Sequence, residues 1–408
     1  MGVDGILIAI IALGVATVLY AYLGFPAIAA LLGTGGVTRR RLVDRRTDPR
    51  CVTVIISAYN DAHSLAAKIL NVLKTEYPRD RLDVLIVSDA STDRTNEIAR
   101  SFAQEGVRLI VQPTRRGKSL GLNDAVERAR GDIVVFTDAS ALFTPLTIPA
   151  LVRYFAYPSV GLVTGYTRYA ARGAFEVARA TNLYTSLERA IKVSESQWGC
   201  CVGADGAVFA MRRRLFTPLR ADDINDVVMP LNVIAQGSQC LFAPGAWCVE
   251  PTGESVTSEF RRQARITNRT LRALWRHNRL LNPLRFGLFA FFLFSHKIVR
   301  FLVPVFMTVS VLALGLLLGL RMPALAVAAT ILAAIALVVR IVPTSASGWG
   351  TVGRPIRMLD MAVTMHVAAL QGWWFFLSGR RDVVWQHDWT LKESGSRNQE
   401  SVSSQLEV

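Results

Sequence analysis

Residues 51–140 alternate between strand-like and helix-like segments, and this alternation constrains the fold more than any other feature of the chain. Residues 52–57 are a β-branched run, which is typical of a buried strand. Residues 62–75 carry apolar side chains at helical spacing. The same alternation predicts further strands at residues 84–87, 107–111 and 133–136 and further helices at residues 92–104 and 119–129. Strands that alternate with helices predict an α/β fold with a parallel, doubly wound sheet.

An uninterrupted apolar stretch, residues 5–32, precedes these segments. A helix needs about 20 apolar residues to cross a bilayer, so this stretch is long enough to span a membrane. It begins after Asp4 rather than after basic residues, and it is longer than the core of a signal peptide. These features favour an uncleaved transmembrane anchor over residues 1–33. A basic linker, residues 34–50, follows it, and because positive charge stays on the cytoplasmic side we expect residues 51–280 to form a cytoplasmic domain.

Apolar segments also dominate the last third of the chain. Residues 301–320 and 324–342 predict two transmembrane helices joined by a short turn, together residues 301–343. Upstream of them, residues 281–300 are rich in aromatic side chains and flanked by basic ones, which is typical of a helix at the membrane interface. With the N-terminal anchor, these segments predict a multi-pass protein of the inner (plasma) membrane.

Residues 344–390 leave three interpretations open. Their apolar part, residues 358–378, carries polar side chains, among them Asp360 and His366. Such a segment is compatible with a transmembrane helix, a re-entrant segment, or an amphipathic helix beneath the cytoplasmic domain. Basic residues after it favour a cytoplasmic tail, and the polar residues 391–408 are expected to be disordered.

The net charge of +15 suits an anionic membrane surface or an anionic substrate better than nucleic acid. Arginines flank the apolar runs, as at residues 39–46 and 380–381, and we find no motif of a nucleic-acid-binding domain. The five cysteines have neither the CxxC pairing nor the histidine spacing of a zinc site. We interpret them as reduced, mostly buried thiols of a cytoplasmic domain.

Polar motifs follow three of the predicted strands. Residues 57–61 end the first strand, residues 88–93 the second and residues 137–140 the fourth, and each motif contains an aspartate. A basic loop, residues 115–119, opens the helix that carries Asn123. The carboxyl ends of parallel strands meet at one edge of a sheet, which is where such sheets bind ligands. Carboxylates with lysine and arginine suit a nucleoside diphosphate and a divalent cation, because hard cations take oxygen ligands and basic side chains neutralise phosphate.

These motifs resemble those of the family 2 glycosyltransferases, which have the Rossmann-like GT-A fold and include the cellulose, chitin and hyaluronan synthases. The resemblance covers about residues 50–300. It implies that Asp89 contacts the nucleotide base, that Tyr59 lies against that base and that Lys118 lies near the diphosphate. The donor-binding residues that it implies are Tyr59, Asp61, Asp89, Lys118, Asn123 and Asp138.

The resemblance also implies a metal ion and a catalytic base. Residues 137–140 look like the family's Asp-x-Asp motif, which makes Asp138 and Ser140 the expected ligands of Mg2+ or Mn2+. Serine is a weaker ligand than aspartate, so water and the diphosphate are expected to complete the coordination. Asn225-Asp226 looks like the family's acidic motif, and Asp226 is therefore the expected base.

Other segments resemble the acceptor side of the family's site. Residues 203–207 look like the segment that lines the sugar and acceptor pocket, and residues 262–266 fall where the family has Gln-x-x-Arg-Trp. Ile266 replaces the tryptophan, which favours addition of single sugars over the threading of a polymer. Residues 295–300 resemble the segment with which several bacterial exopolysaccharide transferases enter the membrane. The residues expected at the acceptor and diphosphate are Gly203, Asp205, Gly206, Arg262 and Arg265.

The resemblance implies an inverting transfer of a sugar, with UDP as the usual carrier, to a lipid-linked or polysaccharide acceptor at the inner face of the membrane. Taken singly, each motif also has a purely structural interpretation, because Asp89 can close a turn and Asp226 can belong to a solvated acidic run. Ser140 keeps a further alternative open, since the second carboxylate of the metal motif is missing. That alternative is a non-catalytic, nucleotide-sugar-binding subunit of a polysaccharide synthesis or export complex.

Overall fold

The computed structural model describes residues 2–35, 50–170, 175–251, 256–327 and 353–381. Three predictions concern residues outside this description. They are nearly all of the basic linker, nearly all of the second C-terminal transmembrane helix, and the C-terminal tail, residues 391–408.

Eight strands of the described residues form one mixed sheet. They are β1 (Val52–Ala58), β2 (Leu82–Ser88), β3 (Val107–Val111), β4 (Ile133–Asp138), β5 (Leu142–Phe143), β6 (Val160–Ala170), β7 (Phe209–Arg212) and β8 (Gln239–Pro251). Their order across the sheet is β3-β2-β1-β4-β7-β6-β8-β5. The first four strands in this order are parallel, whereas β7 is antiparallel to both of its neighbours. The prediction of an α/β fold with a mostly parallel, Rossmann-like sheet is confirmed.

The main helices lie between and around these strands. They are α1 (Val3–Gly35), α2 (Ala62–Leu73), α3 (Thr95–Ser101), α4 (Lys118–Glu127), α5 (Thr147–Val152), α6 (Phe175–Ser196), α7 (Asn225–Ala235), α8 (Val256–Arg276), α9 (Leu288–Arg321) and α10 (Gly353–Leu377). Helix α3 begins three residues later than predicted. The Asp93 carboxylate accepts a hydrogen bond from the Thr95 amide at 3.0 Å and holds the preceding residues in a loop.

Both faces of the parallel part of the sheet are buried. Ile55 and Phe136 point into one apolar cluster, which α4 and α7 complete, whereas Val54 and Ile56 point into a second cluster with α2 and α5. Each fully buried side chain of this size stabilises the fold by about 1.5–3 kcal/mol relative to its exposed state. Burial on both faces explains why the strand sequences are continuous apolar runs and do not alternate.

Helices α1 and α9 are each long and apolar enough to cross a membrane. They pack closely where Gly14 meets Ser310, because a Cβ atom at Gly14 would lie only 1.9 Å from the Ser310 hydroxyl oxygen. The same hydroxyl donates a hydrogen bond to the Ile10 carbonyl at 3.2 Å. Small residues of this kind let the backbones of two membrane helices approach. Helix α9 starts at Leu288, so much of the predicted interfacial segment 281–300 continues without a break into the span predicted at 301–320.

Helix α10 packs along α8, the amphipathic helix that follows the last strand of the sheet. A Cβ atom at Gly372 would lie 2.5 Å from Thr267 Cβ, so glycine is needed at this crossing. The indole of Trp373 donates a hydrogen bond to the Phe301 carbonyl of α9 at 2.7 Å. Residues 362–377 of α10 are apolar. Through the contacts of Gly372 and Trp373, the helix connects α9 with α8.

Candidate active site

The ends of β1, β2 and β4 lie side by side at one edge of the sheet, as the alternating pattern predicts. Ser57 of β1 lies opposite Asp138 of β4 in the strand register. Sharp turns follow β1 and β2, where Asn60 and Ala90 have φ values of 53° and 56°, which are uncommon outside glycine. The Asn60 side chain accepts a hydrogen bond from the Thr92 amide at 2.8 Å and joins the two turns. The polar motifs after the three strands therefore share one edge.

Asp89 organises the basic loop that opens α4. Its carboxylate accepts hydrogen bonds from the amides of Arg116 at 2.8 Å and Gly117 at 2.9 Å. Gly117 has φ 89° and ψ 157°, a conformation that is essentially restricted to glycine. Asp89 and Gly117 together set the position of Lys118, the first residue of α4.

Tyr59 forms a flat cationic surface with Arg115. The guanidinium carbon of Arg115 lies 3.7 Å from the centre of the Tyr59 ring, a favourable cation–π arrangement. The Tyr59 amide donates a hydrogen bond to the Asp61 carboxylate at 2.9 Å. Burial raises the pKa of Asp61 to about 7, and the negative charges of Asp138 and Asp93 contribute to the rise. Asp61 therefore supports the Tyr59 turn and titrates near neutral pH.

Lys118 and Asp138 form an ion pair across the sheet edge. The ammonium nitrogen lies 2.5 Å from Asp138 Oδ1, and the two side chains are 33% and 36% exposed. Ion pairs with this much exposure contribute at most about 1 kcal/mol, because water competes with each partner. A phosphate or a metal ion can therefore replace either partner at little cost.

Glu250, on β8, is a part of this cluster that the sequence analysis missed. It is half-buried, and its Oε1 accepts a hydrogen bond from the Ser140 hydroxyl at 3.3 Å. Burial raises the pKa of Glu250 to about 7, and the charges of Asp138 and Asp205 act in the same direction. Its signal in the sequence is small, a single acid in an otherwise uncharged strand.

The oxygen atoms of Asp138, Ser140 and Glu250 suit a hard divalent cation by their chemistry. Among the described residues, however, no group of three or more His, Cys, Asp or Glu side chains is arranged to hold a metal ion. The protein thus supplies an incomplete set of ligands. Mg2+ commonly binds through one or two carboxylates together with water and substrate phosphates, so the residues present fit a metal that arrives with a diphosphate.

Asp226 is the second residue of α7, and it is half-buried beside the loop of residues 203–207. In the described part of the chain its Oδ1 has no hydrogen-bond partner. Burial raises the pKa of Asp226, whereas the positive charges of Lys118 and Lys297 oppose this rise. A Cβ atom at Gly206 would lie 3.5 Å from Asp226 Oδ2, so a glycine keeps the space beside the carboxylate open.

The Asp205 carboxylate accepts hydrogen bonds from neighbouring residues of the protein. Its carboxylate accepts hydrogen bonds from the Thr167 amide at 2.8 Å and the Thr167 hydroxyl at 2.7 Å. It also accepts one from the Ala207 amide at 3.2 Å. Asp205 therefore fixes the loop that carries Gly203 and Gly206 against β6, and it shapes the pocket through that loop.

Asn123 and Arg269 fix the segment before Asp226. The Asn123 side chain exchanges two hydrogen bonds of 2.8 Å with the backbone of Leu219. Arg269, a residue that sequence reasoning missed, donates to the carbonyl of Asp222 at 3.2 Å and to the hydroxyl of Ser119 at 3.1 Å. These contacts connect α4 and α8 with the chain that leads into α7.

The remaining predicted residues lie on α8, and the neighbouring acids are paired. Arg262 forms an ion pair of 2.9 Å with Glu259 of the same helix. Arg265 is half-buried one turn further along α8. Arg276 binds both Asp222, at 3.1 Å, and Asp223. Asp226 thus differs from Asp222 and Asp223, because within the described residues it forms no direct ion pair and the nearby cations Lys118 and Lys297 act on it only through their charge.

Comparison with known proteins identifies the domain that carries this edge. Residues 53–217 match the model described as glycosyl transferase family 2. These residues form a family 2 glycosyltransferase domain. The match extends from β1 to just beyond β7 and includes the motifs of Asp89, Lys118 and Asp138. The resemblance to family 2 glycosyltransferases is confirmed over residues 53–217.

Several known proteins are similar to the family 2 domain. Over an alignment of 222 residues, this chain is 26% identical to the probable glycosyltransferase YdaM of Bacillus subtilis, and the alignment covers 49% of this chain and 51% of that protein. Undecaprenyl-phosphate 4-deoxy-4-formamido-L-arabinose transferase of Aeromonas hydrophila is 27% identical over 46% of this chain and 60% of its own length. Beta-monoglucosyldiacylglycerol synthase of Synechocystis is 34% identical over 27% of this chain and 24% of its own length. The matched regions thus span at most about three-fifths of these relatives.

The fold is also that of a solved glycosyltransferase. The mannosyltransferase PcManGT of Pyrobaculum calidifontis, whose structure contains GDP-Man and Mn2+, superposes with a TM-score of 0.64. The two chains are 23% identical, and the alignment covers 91% of this chain and 100% of PcManGT. The family 2 domain therefore has the GT-A fold, and the similarity continues into the flanking helices.

Proposed function

We propose that the chain is an inverting glycosyltransferase, which moves a sugar from a nucleoside diphosphate carrier to an acceptor hydroxyl at the membrane. The observation that carries this proposal is the half-buried Asp226 carboxylate, whose Oδ1 atom is shielded from solvent. It has an oxygen without a hydrogen-bond partner in the described part of the chain, and it lies beside an open glycine loop. Lys118 acts on this carboxylate and is also paired with Asp138 at the strand edge. A base and a phosphate-neutralising pair thus meet at one site.

The strand edge would stabilise the leaving diphosphate. The Lys118 ammonium would leave the Asp138 carboxylate and pair with a phosphate oxygen of the donor. Asp138 and Ser140 would then hold Mg2+ or Mn2+. Glu250 would orient Ser140 through their hydrogen bond of 3.3 Å. When bound, the metal neutralises the negative charge that develops as the nucleoside diphosphate departs. The surface of Tyr59 and Arg115 would support the nucleotide base.

Asp226 would accept the proton of the attacking acceptor hydroxyl. The acceptor oxygen forms a bond to the anomeric carbon while the bond from that carbon to the diphosphate oxygen breaks. One displacement of this kind inverts the anomeric configuration. The proton remains on Asp226 until it is released to solvent, and the electron pair of the broken bond leaves with the diphosphate.

The resemblance favours UDP as the carrier, whereas PcManGT was solved with GDP-Man, so both classes of donor belong in a test. We propose a lipid-linked or polysaccharide acceptor at the inner face of the plasma membrane. Two observations support a lipid acceptor. The names of two relatives include undecaprenyl phosphate and diacylglycerol, and helices α1 and α9 are suited to a bilayer.

Nucleotide release from lipid-reconstituted protein, measured with UDP- and GDP-sugars, tests this proposal. We expect release with one donor, dependence on Mg2+ or Mn2+, inhibition by a chelator, and a loss of at least about 100-fold in Asp226→Asn. Asp80→Asn is the matched control, because the Asp80 side chain is 78% exposed. Equal turnover in Asp226→Asn and Asp80→Asn would exclude Asp226 as the base. Nucleotide-sugar binding without any release would favour the non-catalytic subunit.

A further inference from the structure

Lys297 of the membrane helix α9 lies beside the loop that lines Asp226. A Cβ atom at Gly203 would be 3.4 Å from Lys297 Nζ and 3.8 Å from the main-chain oxygen of Asp226. The Ala204 amide donates a hydrogen bond to the same Asp226 oxygen at 2.8 Å. A single glycine therefore separates the lysine ammonium from the first turn of α7.

Two cations, Lys118 and Lys297, act on Asp226, and they differ in their other interactions. Lys118 is already bound to Asp138, and in the proposed reaction it moves to the diphosphate. Lys297 makes no hydrogen bond or ion pair of its own among the described residues. Its charge acts on Asp226 across the glycine loop, from the side of the membrane helix. When the donor diphosphate is paired with Lys118, Lys297 is the cation whose charge still stabilises the ionised Asp226 carboxylate.

The turn that carries Lys297 is held against α6 by hydrogen bonds. This turn, Leu293–Ile298, is a wide π-helical turn within α9. The neighbouring His296 lies with Nδ1 2.6 Å from Glu195 and with Nε2 3.0 Å from Glu188, both on α6. Glu195 in turn accepts a hydrogen bond from the Val202 amide at 3.2 Å. The membrane helix is thus connected through two side chains to the loop that contains Gly203.

A second contact connects the same turn with the N-terminal membrane helix. The hydroxyl groups of Ser295 and Tyr20 lie 2.7 Å apart. Arg300, one turn further along α9, is paired with Glu188. Contacts on both sides of Lys297 therefore fix the rotation of α9 about its axis, and with it the direction in which the lysine side chain extends.

We propose that Lys297 is a positioning residue, which holds the Asp226 carboxylate in its ionised, proton-accepting form, so that membrane helix α9 completes the catalytic base. This inference rests on the proposed function, in which Asp226 accepts a proton. The charged groups that face Asp226 are Lys118, Lys297 and Asp205, and those that face Lys297 are Asp226, Lys192 and Glu195. Removal of one cation from a buried carboxylate favours its protonated form.

The pH dependence of transfer tests this role. In Lys297→Met we expect the acid limb of the kcat–pH profile to move up by about one unit or more, with about 10-fold lower kcat near pH 6.5. The donor KM should change less than about 2-fold, because Lys297 is not among the residues expected to bind the donor. Lys297→Arg should restore the position of the limb. Lys74→Met, at an exposed lysine after α2, is the matched control. An unmoved limb in Lys297→Met would overturn the proposal.

A double-mutant cycle tests the same pairing without any transfer reaction. At pH 8 we expect Lys297→Met to lower the apparent Tm by about 2 °C or more in the protein with Asp226, and by less than half as much in the Asp226→Asn background. Equal shifts in both backgrounds would overturn the pairing. A protein that transfers no sugar but shows the coupled shifts would refute the proposed function and leave the pairing intact, so the two failures are distinguishable.

Discussion

Gly117→Ala should weaken donor binding while it leaves the fold intact. The native φ of 89° and ψ of 157° lie in a region that is strained for any residue with a Cβ atom, at a cost of about 1–3 kcal/mol. The variant can avoid this cost if the loop relaxes, but relaxation breaks the hydrogen bonds of 2.8 Å and 2.9 Å between the Asp89 carboxylate and the loop amides. The donor must then restore the native loop as it binds. A cost of about 1–3 kcal/mol corresponds to a donor affinity that is about 5- to 150-fold weaker.

The donor KM is measured in the nucleotide-release assay, with a donor from which the wild type releases nucleotide. Gly237→Ala is the matched control, because Gly237 also has a positive φ, of 78°, has free space around it, and follows the far end of α7. We expect both variants to lose some thermal stability, and only Gly117→Ala to show a higher donor KM. If Gly117→Ala binds the donor as the wild type does, the account of how Asp89 and Gly117 position Lys118 is wrong.

Two further predictions concern stability. Burial lowers the pKa of Lys68 from 10.5 to about 7, so the folded chain binds fewer protons than the unfolded chain between these values and its stability should rise with pH there. The apparent Tm of the wild type relative to Lys68→Met is therefore expected to increase from pH 7 to pH 9, and a constant difference would contradict this account. In the membrane helices, Gly14→Val should lower the apparent Tm in detergent, because its Cβ atom would lie 1.9 Å from the Ser310 hydroxyl oxygen. Gly315→Val, where no atom lies within 4 Å of the added Cβ, should have little effect, and equal effects of the two variants would refute the close packing of α1 against α9.

The sequence predicts the donor edge of this fold well because the determinants are local. Each strand, loop and helix of residues 51–140 is encoded by its own periodicity and turn residues, and parallel pairing then brings the strand ends together. Lys118 and Asp138 are 20 residues apart and meet at 2.5 Å, as their positions after a loop and a strand suggest. The loop that Gly117 opens depends on Asp89, which lies at the end of the adjacent strand.

The contacts that complete the site depend on pairings over long separations. Glu250 reaches Ser140 across 110 positions, because β8 pairs antiparallel with the short strand β5. Arg269 reaches Ser119 across 150 positions, because its side chain extends from α8 to the start of α4. Neither pairing has a local signal, since a single acid in a strand and an arginine in a basic helix are ordinary features of a sequence. Antiparallel pairing in the second half of the sheet follows from tertiary packing and not from strand propensity.

For the membrane helices, too, some features follow from the local sequence and others depend on tertiary contacts. Their length and apolar composition follow directly from the sequence, and α1 and α9 lie where apolar stretches predict them. The continuity of α9 from Leu288 could not be read from composition, because aromatic and basic residues around its start also suit a helix that lies at the interface. The contacts of Ser295 and His296 with Tyr20 and Glu195 bury this polar turn inside the protein.

The most direct test of the central claim is the anomeric configuration of the product. A donor labelled with 13C at its anomeric carbon would be turned over once by the reconstituted protein in the presence of acceptor and metal, and the product would be examined by NMR. The account predicts a glycosidic product with the configuration inverted relative to the donor, and no such product from Asp226→Asn. A product with retained configuration, or an inverted product formed equally well by Asp226→Asn, would contradict it.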